Sequence, residues 1–401
     1  MRAVDRHQGV TTRGVGPLLG STAISVTGDG AFIAAAPLLA ASLTRDPLAI
    51  SVVTAAFYLP WLLVGLAAGA LVDRRARRPV LVMADLVRAV ILAALAASVL
   101  TGAATLPLLV TAVLLVGVAQ CFFDSAAQAV IPAIVGRDKE MLTRTNGRYW
   151  ALDTVGRLLA GPPLGSAAFA VNKALPFIGD ALTFLASAVL VSRLPRVPAP
   201  EGSHEGVLVA IRGGLQHLAR TRELLVLALS LGAYNFGYNV AIATFVLYAK
   251  DVLHVADAGY GFLLATMAVG GVVAGWRAAP LMRRLSYRQV QAAALVVQGI
   301  AWVGVAFAPN WIMAGALLAI LGAGSALVSV AVGSARQALT PDELLGRVVS
   351  AFRLLGLGAA GLGALVGGMI ADWQGLRAPL LTAAALLVLA AAPTWPRGQA
   401  V

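Results

Sequence analysis

The sequence predicts an all-α integral membrane protein, with twelve transmembrane helices arranged as two six-helix bundles. Three observations carry that prediction. The composition is too apolar to coat a soluble surface, apolar runs of membrane-crossing length recur along the chain, and basic residues gather in every second connection. Of 401 residues, 59% are hydrophobic and 12% charged, and the mean hydropathy is +0.85. A soluble chain carries about 25% charged residues. Membrane barrels alternate polar and apolar residues along each strand, and these runs do not.

Taken in order, the candidate spans lie near 17–43, 47–72, 79–101, 106–131, 146–171, 174–192, 224–249, 258–282, 287–308, 311–335, 346–370 and 376–394. Turn-forming or charged stretches such as TRDP, TGAATLP, VNKALP and FAPNW separate them. The first run is longer than a signal-peptide core of roughly 7–15 residues, so it is expected to remain as the first span. Domain boundaries are expected at 1–192 for the first bundle, 193–223 for a cytoplasmic linker and 224–401 for the second bundle. The linker begins RLPRVPAPEGSHEG. Leu208, Ile211, Leu215 and Leu218 then recur at helical spacing opposite Arg212, Gln216 and Arg220. They form either an amphipathic helix on the inner membrane surface or a solvated linker helix.

Loop charge sets the orientation. Arg2, Arg6 and Arg13 precede span 1, and Arg74, Arg75, Arg77 and Arg78 follow span 2. Arg137, Lys139, Arg144 and Arg148 lie between spans 4 and 5. Arg193, Arg196, Arg212, Arg220 and Arg222 lie in the central connection, and Arg283, Arg284 and Arg288 between spans 8 and 9. The intervening loops hold only Arg45, Lys173, Lys250 and Arg377. This pattern places both termini in the cytoplasm and the chain in the cytoplasmic (inner) membrane as a multi-pass protein.

The same pattern explains the net charge of +12. In a soluble protein that charge would point to nucleic acid; here it belongs to the loops, and no nucleic-acid partner is expected. The single cysteine, Cys121, excludes an intrachain disulfide and thiolate metal clusters. No phosphate-binding P-loop and no Ser-His-Asp or metal-ligand constellation is present, so no enzyme activity, metal or cofactor is expected. The four histidines, His7, His204, His217 and His254, fall outside the spans.

The chain repeats itself. SAAQAVIP (125–132) recurs as SARQALTP (334–341) at the same place in the second half, and the Arg74-Arg75 pair recurs as Arg283-Arg284. GRYWA (147–151) falls near GRVVS (346–350) with a short deletion. Two copies of a six-span unit suit a device that rocks around a central site.

The densest charge cluster is Gly69-x-x-x-Asp73-Arg74-x-Ala76-Arg77-Arg78. It resembles the G-x-x-x-D-R-x-G-R-R/K signature of the major facilitator superfamily, with Ala76 where that family has glycine. DRRARRPVLVMADLVRA (73–89) is most similar to the branch holding macrolide-efflux proteins, the enterobactin exporter and multidrug exporters. The resemblance implies a gating latch at Gly69, Asp73, Arg74, Arg77 and Arg78, in which an acid at a helix end pairs with fixed guanidinium groups and releases them on opening. Plain topology is the other reading of these arginines. GPPLG in span 5, with Gly161, Pro162 and Gly165, resembles the core of the family's exporter motif G-x-x-x-G-P-x-x-G-G; Arg157 and Ser166 replace its outer glycines. The span-4 arginine of proton-coupled drug antiporters has no counterpart in this sequence.

Ionisable residues inside a bilayer are costly and mark function. The first half carries Asp29, Asp85, Arg88, Asp124, Asp153, Arg157 and Asp180, five acids against two bases. Asp29, at the middle of span 1, is the first candidate for proton or cation binding; a local kink residue in TGDG is the alternative. Asp124 and Arg88 are expected as a structural or gating pair and as further coupling candidates. Asp153 and Arg157 have i,i+4 spacing for a local pair. Asp85 and Asp180 are expected near span ends, snorkelling outward. The second half offers Arg353 near the start of span 11.

In the family the resemblance names, spans 1, 4, 7 and 10 line the cavity. Their candidate wall residues here are Phe32, Gln120, Phe123, Tyr234, Asn235, Tyr238, Asn239, Ser325 and Ser329. A mostly apolar wall with a few polar anchors suits an amphiphile. The expected function is secondary active transport: proton-coupled efflux of hydrophobic or amphiphilic small molecules, such as drugs, macrolides or siderophores, by alternating access. The partners are the small-molecule substrate, protons and the lipid bilayer, with the protein a monomer. A lipid or lysolipid flippase on the same fold, and a non-transporting membrane sensor or assembly partner, are the alternatives.

Overall fold

The structure is a computed structural model and describes residues 5–72, 75–135, 139–195 and 207–393. Those residues form helices joined by short connections, in this order: α1 (Asp5–Leu43), α2 (Pro47–Leu63), α3 (Gly65–Val72), α4 (Arg77–Leu100), α5 (Leu106–Val135), α6 (Lys139–Thr154), α7 (Gly161–Val171) and α8 (Leu175–Val191). There follow α9 (Val207–Arg220), α10 (Arg222–Ile242), α11 (Phe245–Leu247), α12 (Asp257–Met282), α13 (Tyr287–Ala306), α14 (Trp311–Leu339), α15 (Asp342–Gln374) and α16 (Ala378–Ala391). Among the described residues, eight helical segments are long and apolar enough to cross a membrane, and α2, α8 and α16 are shorter apolar helices. With α6 and α7 read together as one span, the count reaches the expected twelve.

Local chemistry fixes the ends and the breaks. Asp46 caps α2 by accepting from the Leu48 and Ala49 amides at 2.8 and 3.2 Å, with Pro47 at the first helical position, where no N–H is needed. Ser286 and Gln289 form a reciprocal capping box at the start of α13, and Asn310 caps α14 through the Met313 amide. Gly375 ends α15 with φ 83°, a conformation that favours glycine.

Pro162 and Pro163 remove two amide donors from the middle of span 5, so the carbonyls one turn earlier lose their partners. The helix widens there into a π turn over Val155–Ala160, closed by the Gly161 amide on the Gly156 carbonyl. A second π turn, Tyr248–Val252, extends α10 and α11. Pro60 likewise precedes the break between α2 and α3.

By contact the chain divides into two compact units. One holds residues 1–39, 63–204 and 257–261; the other holds 40–62, 205–256 and 262–401. In the first unit, α4 packs against α5 and α8. In the second, α13 packs against α14 and α16. These are the third, fourth and sixth spans of each half, so the internal repeat appears as the same set of helix neighbours.

Glycines set the closeness of packing within the second unit. A Cβ on Gly363 or Gly367 of α15 would meet the α10 backbone at Phe236 and Val240, the small-xxx-small arrangement of membrane helices. A Cβ on Gly368 would meet Ser51 of α2. The linker helix α9 packs on α15, with Leu218 buried and Gly213 close against the Arg347 side chain. Large apolar side chains such as Val90, Trp276, Trp373 and Leu389 are exposed on the outside of the helices, as expected where lipid is the solvent.

Candidate functional site: a buried charge network and an aromatic-amide cluster

The first unit gathers its charges inside. Asp29 on α1 pairs with Arg157 of the π turn (Nη2 to Oδ2, 3.1 Å), and Arg157 also donates to Asp153 of α6 through Nη2 and Nε, each at 3.2 Å. One guanidinium thus holds two carboxylates from two helices. The local Asp153–Arg157 pair read from the sequence is present. Asp29 is bound to a side chain of another span and is not simply a kink residue satisfied by its own backbone.

The exporter-like motif positions this triad. A Cβ on Gly161 would strike Gly30 and the Thr27 carbonyl, and one on Gly165 would strike the Ala31 backbone. Only glycine permits so close an approach of α7 to α1. Gly156 lies against Thr27 in the same way. The segment TGDGA of α1 is therefore clasped by the π turn and α7, and Asp29 and Arg157 meet beside this close approach. Pro162 faces Gly261, and Ser166 donates to the Ala258 carbonyl at 2.9 Å.

A second group centres on Arg88 of α4, which is fully buried. Its guanidinium bonds Asp85 and Gln120 and lies between the Phe123 and Phe184 rings, 4.4 and 4.0 Å from their centroids. Gln120 donates in turn to Asp124 at 2.9 Å. The expected Arg88–Asp124 pair is thus corrected: the ion partner of Arg88 is Asp85, and Gln120 bridges Arg88 to Asp124. The snorkelling expected for Asp85 and Asp180 is also overturned, since their exposures are 0% and 1%. Asp85 is bonded to Arg88 of its own helix, and the Asp180 carboxyl lies against Gly28 of α1; their chain position misled because a residue near a span end can still face a neighbouring helix.

The second unit assembles aromatic and amide groups. The Tyr234 hydroxyl bonds Ser325, the Tyr234 and Tyr238 rings lie 6.0 Å apart, and Tyr238 reaches Trp302 at 6.3 Å. The Tyr238 hydroxyl approaches the Met267 sulfur at 3.8 Å. Asn235 and Asn239 donate to the carbonyls one turn back, Leu231 and Asn235, at 3.0 and 2.9 Å. Those bonds fix the two amides in place along α10. Arg353 lies over the Trp61 ring at 4.4 Å.

Of the proposed wall residues, Phe32, Gln120, Phe123, Tyr234 and Asn239 are buried, Asn235, Tyr238 and Ser325 partly so, and Ser329 is exposed. Phe32 packs edge-on against Phe177.

Of the charge-cluster motif, Asp73 and Arg74 lie outside the described residues. Gly69 falls in α3, its Cβ position 4.0 Å from the Ser125 hydroxyl. Arg78 donates to the Leu194 carbonyl at 3.2 Å, tying the start of α4 to the chain after α8. Arg77 opens α4. Ala76 has φ −61° and ψ 124°, a conformation open to any residue, so alanine in the family's glycine position causes no strain. Among the described residues, no three metal-ligating side chains come together.

Sequence reasoning missed two features of the first unit: the sharing of Arg157 between Asp29 and Asp153, and the deep burial of Asp85 and Asp180. The available signal was the pair of glycines flanking Asp29, which marks a close helix crossing.

Comparison with known proteins identifies the chain's relatives. Residues 18–395 match the family described as transmembrane secretion effector, within the major facilitator superfamily. The chain is 30% identical over 380 residues to the multidrug efflux pump Tap of Mycolicibacterium fortuitum, covering 91% of this chain and 92% of that one. It is 27% identical over 397 residues to the MFS-type transporter YfiS of Bacillus subtilis, covering 94% and 91%. Among solved structures, a bacterial homologue of the human lysosomal transporter Spinster superposes with a TM-score of 0.77 at 14% identity, covering 95% of each chain. A bacterial homologue of the iron transporter ferroportin gives 0.76 at 16% identity, covering 96% and 98%. These structures share the fold. The chain belongs to the transmembrane secretion effector family of the major facilitator superfamily, and is a multi-pass membrane transporter of that fold and not an enzyme.

Proposed function

We propose that the protein is a proton-driven exporter of hydrophobic and amphiphilic small molecules, working by alternating access from the cytoplasmic membrane with both termini inside and as a monomer. The observation that carries this reading is the Asp29–Arg157–Asp153 triad in the first unit. Two carboxylates sharing one partly buried guanidinium make an arrangement that gaining or losing a single proton rebalances. The relatives named as multidrug efflux pumps, matched over nine-tenths of both chains, support the direction and the substrate class. The aromatic and amide groups along α10 supply apolar surface with a few fixed polar anchors, which suits substrates of varied shape. Gly69, Asp73, Arg74, Arg77 and Arg78 act as the cytoplasmic latch in this reading.

The test uses inverted membrane vesicles containing the protein, an imposed proton gradient and a panel of lipophilic dyes and antibiotics. Accumulation that collapses on adding a protonophore is the expected result. Accumulation indifferent to the protonophore contradicts proton drive, and no accumulation across the panel contradicts the substrate class. Asp29→Asn is expected to abolish gradient-driven accumulation while leaving the protein folded.

A further inference from the structure

Of Asp29, Asp85, Asp124, Asp153 and Asp180 in the first unit, four have a partner that answers their charge directly or through one amide. Asp29 and Asp153 share Arg157, Asp85 holds Arg88, and Asp124 is linked to Arg88 through Gln120. Asp180 of α8 is the exception. It is 1% exposed, and among the described residues no cation lies within ion-pair distance of it. Its Oδ1 accepts from the Thr183 hydroxyl at 3.0 Å, a donor also directed at the Asp180 carbonyl, and its Oδ2 has no partner.

The surroundings give a charge there no direct cationic partner. On α1, the Asp180 carboxyl abuts Gly28, where a Cβ would strike both Asp180 and Thr183. Asp29, the next residue, acts on it as a like charge. On α4, the Nη groups of Arg88 are taken by Asp85 and Gln120. Arg157, from the π turn, is taken by Asp29 and Asp153. Packed against α8, α7 carries no ionisable side chain. A carboxylate buried this deeply without a cation is prohibitively costly, whereas the neutral acid needs only the contacts present.

We propose that the proton which drives transport rides on Asp180, one residue step from the Asp29–Arg157 pair. This rests on the proton-driven reading above. The carboxyl touches the α1 backbone beside Asp29, so loss of its proton would set a second negative charge next to that pair. The new charge competes for Arg157, and the competition loosens the clasp of the π turn on α1. Protonation state and helix packing are linked through one guanidinium.

The experiment uses the full chain in proteoliposomes with ethidium as probe, comparing wild type with Asp180→Asn and Asp29→Asn. Asparagine mimics the neutral acid, so Asp180→Asn is expected to keep ethidium counterflow exchange without a gradient. Its gradient-driven accumulation is expected to fall to the level reached with a protonophore. Infrared spectra of the same samples should show a carboxylic-acid carbonyl band that persists in Asp29→Asn and vanishes in Asp180→Asn. The proposal is overturned if Asp180→Asn accumulates ethidium in response to the gradient as wild type does, or if the band remains in Asp180→Asn. Should Asp180→Asn fail to fold, seen as loss of counterflow, the infrared band in Asp29→Asn decides: retained, it supports the proposal; lost, it overturns it. Wild-type accumulation that ignores the protonophore is a separate result, because it removes the proton-driven reading itself and the proposal with it.

Discussion

The two units repeat one helical plan and fill it with different chemistry. In the first, the buried polar groups include Asp29, Asp85, Arg88 and Asp180. In the second, among the described residues, they are Ser51, Ser230, Asn239, Thr244, Gln291, Gln298 and Thr340, none of them charged. The third span of each half shows the contrast most plainly. Arg88 and Asp85 of α4 are buried as an ion pair, while Gln291 and Gln298 of α13 are buried as amides with unpartnered atoms. The lesson is that the repeat conserves helix neighbours and frees the interior to specialise: charge whose balance can change in one half, neutral polar and aromatic surface in the other.

The largest expected effect breaks the contrast at Arg88. Replacing it by Met leaves Asp85 buried without a cation, which costs about 3–5 kcal/mol. The purified variant should unfold at a clearly lower temperature in detergent, and the double change with Asp85→Leu should recover most of the loss, because an apolar pair tolerates the site. A single variant as stable as wild type would show that the pair is not what holds α4. The matching change in the second unit, Gln298→Met, removes an amide whose Oε1 has no partner and should shift stability by less than about 1 kcal/mol.

Next in size is the clasp on α1. Gly161→Ala forces a methyl into the Gly30 and Thr27 backbone and should cost about 1–3 kcal/mol, with loss of transport. Normal transport by this variant would mean that α1 and α7 can part without consequence. Tyr234→Phe removes the hydroxyl bonded to Ser325, with an expected cost of about 1 kcal/mol. It should weaken substrate affinity and leave the response to the gradient intact; loss of that response would blur the division of labour between the units. The smallest effect is expected for Arg45→Ala. Its pair with Asp251 is exposed at both ends, and solvent screening leaves it less than about 1 kcal/mol, measurable as a slight shift in melting temperature.

Much of this was legible in the sequence. Apolar run length gave the twelve spans, and the turn-rich stretches TRDP and FAPNW fall at breaks between helices. The i,i+4 spacing of Asp153 and Arg157 predicted their bond. The π turn was harder, because Pro162-Pro163 announces a distortion without saying whether the helix breaks, kinks or widens. The identity of charge partners was beyond reach. Asp29 and Arg157 are far apart in the chain, and only the glycine-lined crossing of α1 and α7 brings them together. Asp85 and Asp180 were misplaced for a related reason: position along a span says little about which face a residue occupies.

The central claim is that the charges of the first unit exchange a proton for substrate. The most direct measurement is proton release when ethidium is added to purified protein in weakly buffered detergent solution, followed with a pH-sensitive dye. The account predicts that wild type and Tyr234→Phe both release protons at saturating ethidium, while Asp180→Asn binds ethidium and releases none. Ethidium binding to wild type with no proton release, or equal release from Asp180→Asn, would contradict it.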